Sequence, residues 1–175
     1  MNVNELSEIK LILKRSPGVF EIMVKELPGH LVHSNEGVDT WSVFDIVGHM
    51  IHGEKTDWIP RAKIILEHGI QKPFEPFDRF AQFRDSKGKS LNDLLAEFKT
   101  WREKSLAELD SMKIDNDTLK LKGMHPALGE VNLGQLFSTW VVHDLNHIAQ
   151  VSRVIAKQYK EKCGVWAAYL RILQS

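Results

Sequence analysis

The stretch Trp140-Val-Val-His143-Asp-Leu-Asn-His147-Ile-Ala-Gln150 decides how the chain is read. It lies inside residues 133–159, which carry the marks of one long helix. Asn132 is a preferred N-cap, and Gln135 three residues on completes a capping-box pattern. No proline interrupts the segment, and Leu136, Trp140, Val151, Val154 and Ile155 recur at helical spacings. His143 and His147 fall within that apolar stripe. Side chains four apart on a helix lie one above the other, about 6 Å apart at Cβ, so both imidazoles can reach one metal ion. The same spacing serves a hydrogen-bonded core pair equally well. The rest of the chain has to separate the two.

At 175 residues the chain is read as a single domain, 1–175, long enough to bury about 70% of its unfolded surface. Lysine plus arginine equals aspartate plus glutamate, 23 each, so nothing in the charge draws the protein to nucleic acid or an anionic membrane. The lone Cys163 excludes an intrachain disulfide and fits a reducing compartment. The opening residues lack the basic-then-apolar order of a secretory signal. No apolar run approaches the ~20 residues needed to span a bilayer. A cytoplasmic location is expected.

Upstream, residues 4–27 predict a first helix broken or kinked near Ser16-Pro17, where serine caps and proline restarts the turn. Residues 29–40 read as loop. A second helix runs from Trp41-Ser42 to about Gly69, bent at Pro60. Residues 69–89 lack helical period and are long enough to return along a helix, which permits a crossover with the second and third helices parallel. Ser90 and Asp93 cap a third helix through Leu109. Residues 118–122 and 130–132 suggest two short strands, a β-hairpin before the fourth helix. The expected fold is all-α: four amphipathic helices in an antiparallel bundle or in one with a long crossover between helices 2 and 3. Val165 to Leu173 is amphipathic; it either seals the bundle end or forms a homodimer contact.

A metal held by two histidines of one helix needs at least one more protein ligand. Helix 2 offers His49 and His52. His49 lies at the edge of the apolar face, and Gly48 and Gly53 remove bulk beside it, which admits another helix or a ligand. His49 is therefore the expected third ligand, with His52 solvated or supporting. Glu54 sits about 140 degrees around the helix from His49, which argues against ligation of the same ion. Asp144 and Asn146 either orient the imidazoles or face solvent or another helix. His125 reads as a turn histidine or a cover for the site. Glu130 reads as an acid, base or fourth ligand, or as a helix N-terminal charge. Arg61, Arg79 and Arg153 suit either a substrate carboxylate or an ion pair. Trp58, Trp101, Trp140 and Trp166 read as core, and Cys163 lies far from the histidines.

Taken together, Trp41-Ser-Val-Phe-Asp-Ile-Val-Gly-His49 and His143-Asp-Leu-Asn-His147-Ile-Ala-Gln resemble the DinB superfamily. That group includes YfiT-like proteins, bacillithiol S-transferases and, more distantly, mycothiol-dependent maleylpyruvate isomerase. The resemblance runs over essentially the whole chain. It implies a four-helix bundle with the same crossover and a three-histidine site at His49, His143 and His147. That site would hold one divalent ion, nickel or zinc before iron or manganese. The implied activity is transfer of a low-molecular-weight thiol to a small-molecule substrate. A metal-dependent hydrolase and a non-catalytic metal-binding module are the alternatives. Glu54-Lys-Thr-Asp57-Trp58-Ile-Pro-Arg61 and Asp78-Arg79-Phe80 resemble a branch other than the thiol transferases.

Overall fold

A computed structural model describes residues 1–174. Helix α1 (Val3–Val24) starts at Asn2, which forms a reciprocal capping box with Glu5. It is one continuous helix through Pro17, not two segments meeting at Ser16. Proline has no N–H for the Leu13 carbonyl four residues back. That carbonyl instead accepts from Arg102 Nη1 at 2.7 Å, while Ser16 Oγ donates to Ile12. The helix stops three residues early because Glu26 takes a left-handed conformation, φ 65°. A short helix, α2 (Gly29–His33), occupies part of the expected loop.

The second predicted helix is two: α3 (Val43–Thr56) and α4 (Trp58–His68), joined at Asp57. The break falls at Asp57 because the Pro60 ring crowds the carbonyl of residue 56. Proline itself sits in the first turn of α4, where no intrahelical donor is needed. The crossover then runs through a 3₁₀ turn, Gly69–Gln71, and the short α5 (Ala81–Asp85) to α6 (Leu91–Ser111). Strands β1 (Lys122–His125) and β2 (Gly129–Asn132) pair antiparallel. The expected first strand is shifted, since Thr118–Lys120 forms a 3₁₀ turn. Helix α7 (Leu133–Lys157) follows, capped by Asn132 and Gln135, then α8 (Lys160–Cys163) and 3₁₀ turns to Leu173. Of the C-terminal apolar residues, Leu173 is buried, whereas Val165, Trp166 and Tyr169 are exposed.

The architecture is a four-helix bundle, α1, α3/α4, α6 and α7, with the crossover between the second and third. Two apolar clusters fill it. One joins Leu6, Ile9 and Leu13 to Ile59, Ile65, Leu109, Leu136 and Trp140. The other joins Phe20 and Val24 to Val43, Ile46, Leu94, Phe98, Val151 and Val154. In each, the start of one helix pair meets the end of the other, so α1 and α7 run one way and α3/α4 and α6 the opposite way. Between the clusters lies a polar layer: Arg102, Glu54 and Asp144. No helix among the described residues is long and apolar enough to cross a membrane.

Candidate metal centre

Two capped helices aim the candidate ligands. The Ser42–Asp45 box fixes where α3 begins, and so sets His49 on its second turn facing α7. The Asn132–Gln135 box does the same for α7, where His143 and His147 are one turn apart. The three meet. His49 Nε2 is 3.0 Å from His143 Nε2, and His147 Nε2 is 3.1 Å from the same atom. One donor atom from each residue lies within 4.8 Å of the other two.

Burial decides their protonation. It pushes His49 from near 6.5 to about 3, with His147, His52 and Arg79 adding to the effect. Burial likewise takes His143 to about 2, helped by His147 and His49. His147 is lowered by burial against the pull of Gln150 and Asp144. All three are thus neutral at pH 7, the ligating form. His147 Nδ1 is 2.7 Å from Gln150 Oε1; an amide oxygen only accepts, so Nδ1 carries the proton and Nε2 the lone pair.

His143 Nε2 faces two other ring nitrogens, yet a neutral imidazole nitrogen has only one proton or one lone pair to offer. Hydrogen bonding alone leaves the trio poorly satisfied. Metal–imidazole bonds of about 2.0–2.1 Å at tetrahedral or right angles set donor atoms about 2.9–3.4 Å apart. Two of the three spacings, 3.0 and 3.1 Å, fall in that range and the third lies within 4.8 Å, so the residues fit a divalent ion.

Aromatic rings wall the trio. Trp41 lies 4.7 Å from His49 and stacks at 6.2 Å on His147, ring centre to ring centre. Phe77, from the crossover, meets His49 edge-on at 5.4 Å. Trp58 meets His143 at 5.1 Å. A groove of about 760 Å³ follows α7 from Asn132 past Gln135, Thr139 and Val142 to His143 and Asn146. Apart from His143, no acidic or basic side chain lines it.

The other candidates go elsewhere. Asp144 does not orient the imidazoles by contact; it is fully buried against Arg102. Gln150 makes that kind of contact instead. Glu54 is also buried, bonded to Arg102 and Trp140. Half-buried His52 stands 3.8 Å from Asp85. His125 Nδ1 accepts from the backbone of Ala127 and Leu128, closing the hairpin turn. Glu130 pairs with Lys122, Arg61 with Asp57, and Arg153 with Glu36. Arg79 is exposed but close enough to lower His49. Trp58 and Trp140 are core, Trp101 is half-buried and Trp166 is exposed.

Three contributors escaped sequence reasoning: Trp41, Gln150 and Arg102. Two had a legible signal. Gln150 follows His147 by three, a same-face spacing. Arg102 continues the stripe Leu94, Leu95, Phe98 toward Ser105 and Leu109, an unpaired cation on an apolar face.

A sequence profile described as the DinB superfamily matches residues 12–151. No curated protein matches significantly. Among solved structures, the chain resembles one described as "YfiT from Bacillus subtilis is a probable metal-dependent hydrolase with an unusual four-helix bundle topology". That likeness has a TM-score of 0.77 at 19% identity over 90% of each chain. At this identity it speaks to the fold.

Proposed function

The chain belongs to the DinB superfamily, and on that footing we propose that it is a metal-dependent enzyme acting on a small molecule, with His49, His143 and His147 as protein ligands of one divalent ion. The observation that carries this reading is the convergence of three neutral imidazoles from two helices within 4.8 Å. Nickel or zinc suits such a nitrogen donor set best, ahead of iron or manganese. Bound there with its full charge, the ion would act as a Lewis acid and lower the pKa of a coordinated water or thiol toward neutrality.

The chain's own residues supply the rest. Gln150 holds His147 in the tautomer with Nε2 free. Trp41, Phe77 and Trp58 keep bulk water from the rings. The groove beside His143 takes the substrate; its volume suits a compact organic molecule. Hydrolysis is the reading we favour: the trio needs no second reactant beyond water, and the YfiT description points the same way. Thiol transfer is the second reading, supported by a groove roomy enough for a thiol carrier. In both, residues 1–175 work as one domain in the cytoplasm. The exposed Val165, Trp166 and Tyr169 make a homodimer contact, which a light-scattering mass twice 20.1 kDa checks.

Protein purified without chelator is expected to carry about one nickel or zinc per chain, and His143→Ala/His147→Ala to carry none. Activity on a panel of esters and amides, with and without small thiols, separates the readings. Turnover without thiol supports hydrolysis; turnover only with thiol supports transfer. A full complement of metal with neither would leave a non-catalytic module.

A further inference from the structure

The polar layer holds a charge imbalance. Arg102 donates to Glu54 Oε1 from Nε at 3.0 Å and Nη2 at 2.7 Å. It donates to Asp144 from Nη1 at 2.6 Å and Nη2 at 3.0 Å. Glu54 Oε1 also accepts from Trp140 Nε1 at 3.0 Å. In each contact a carboxyl oxygen is the acceptor, and the second Glu54 oxygen, Oε2, is buried with no partner. The guanidinium side chain is 1% exposed and both acids 0%. Two carboxylates against one guanidinium leave one negative charge in excess. Among the described residues no second cation bonds either acid.

An uncompensated charge in a core is costly, and a bundle keeps one only where something balances it. The histidine trio is its neighbour. Asp144 directly follows His143 on α7. Glu54 lies five residues past His49 on α3, about 7.5 Å along the axis. Trp140, which bonds Glu54, stacks on Trp58 at 5.8 Å, and Trp58 touches His143. Asp144 favours positive charge at His147, whereas Arg102 opposes it at His143.

We propose that the Glu54–Arg102–Asp144 cluster is the built-in counter-charge of the three-histidine centre, raising its affinity for a divalent cation without touching the ion. Glu54 and Asp144 are then positioning residues that act through the field they set up. The inference rests on the ligand assignment above and adds a reason for two acids around one arginine.

The test is zinc affinity, measured by competition with a chelating dye. Glu54→Gln and Asp144→Asn remove charge and keep shape; Trp140→Phe removes a hydrogen bond and keeps charge. Melting of each metal-free protein reports structural damage. The expected result is at least ten-fold weaker zinc binding in Glu54→Gln and Asp144→Asn, with Trp140→Phe within three-fold of wild type. Affinity within three-fold in both charge variants overturns the proposal, as does an equal loss in Trp140→Phe. Should both charge variants fail to fold, Glu54→Gln/Arg102→Met, which removes one negative and one positive charge and leaves the balance of the cluster unchanged, decides. It is expected to bind zinc within three-fold of wild type, and a ten-fold loss overturns the proposal. A wild type that binds no zinc refutes the ligand assignment instead, and this inference with it.

Discussion

At the scale of single residues, the imidazole triad and its support make separable contributions. His49, His143 and His147 were singled out because glycines flank the first and a four-residue spacing puts the other two on one helix face; that spacing alone serves a core pair equally well, and it is the assembled fold that brings all three together. Gln150 was not singled out, because a glutamine on a helix is ordinarily solvated. Its contact with His147 Nδ1 at 2.7 Å sets ring orientation and tautomer. Removing such a support typically weakens metal binding about 10–100-fold. Gln150→Leu is therefore expected to lower zinc affinity within that range in a dye competition while leaving metal-free melting nearly unchanged. Glu54 shows the limit of reading one helix at a time. Its angle from His49 correctly argues against ligation, but a helical wheel cannot show that its true partner comes from a third helix.

At the scale of elements, caps were the clearest signal and breaks the least. The boxes at Ser42–Asp45, Ser90–Asp93 and Asn132–Gln135 are all present, because capping depends on residues three apart. Prolines misled in one place and shifted the boundary in another. Pro17 leaves α1 whole since Arg102 satisfies the carbonyl it strands, a contact 89 residues distant in sequence. Pro60 splits a helix where only a bend was expected. Gly48 was expected to admit another element, and it does: a Cβ there would lie 2.4 Å from Ser86 Oγ and 3.1 Å from Gln82 Cβ. This close approach docks the end of the crossover that carries Phe77 against α3. Gly48→Ala should destabilise the protein by about 1–3 kcal/mol through overpacking, read from urea unfolding. It should also loosen the Phe77 wall, raising quenching of Trp41 fluorescence by acrylamide relative to wild type.

At the scale of the whole molecule, the polar layer and the histidine trio occupy the middle of a bundle whose two ends are apolar. The bundle followed from helix periodicity; connector length only permitted the crossover, which the family resemblance implied. The layer did not, since it exists only once four helices are assembled. Its position couples stability to pH. The trio titrates in the unfolded chain near 6.5, but in the fold at about 3 for His49 and about 2 for His143, with His147 also lowered. Between those values and 6.5 the unfolded state binds more protons, so stability must rise with pH there. It is present in full above about pH 6.5 and is lost as pH falls toward 3, by about 1.4 kcal/mol per pH unit for each of His49 and His143, with His147 adding in the same direction. The metal-free protein should accordingly show a flat melting temperature from pH 7 to 8 and a steep fall below 6.5. His147→Ala should make that fall shallower. Zinc at a hundred times its dissociation constant adds about 2.7 kcal/mol of stability, or about 5–11 °C for a chain of this size. Because folded His49 and His143 stay neutral down to about 3 and about 2, protons scarcely compete with the metal for their lone pairs between pH 7 and 5, and the increment should hold nearly constant there. A metal-induced shift that persists in His143→Ala/His147→Ala would mean the ion binds somewhere other than the three imidazoles.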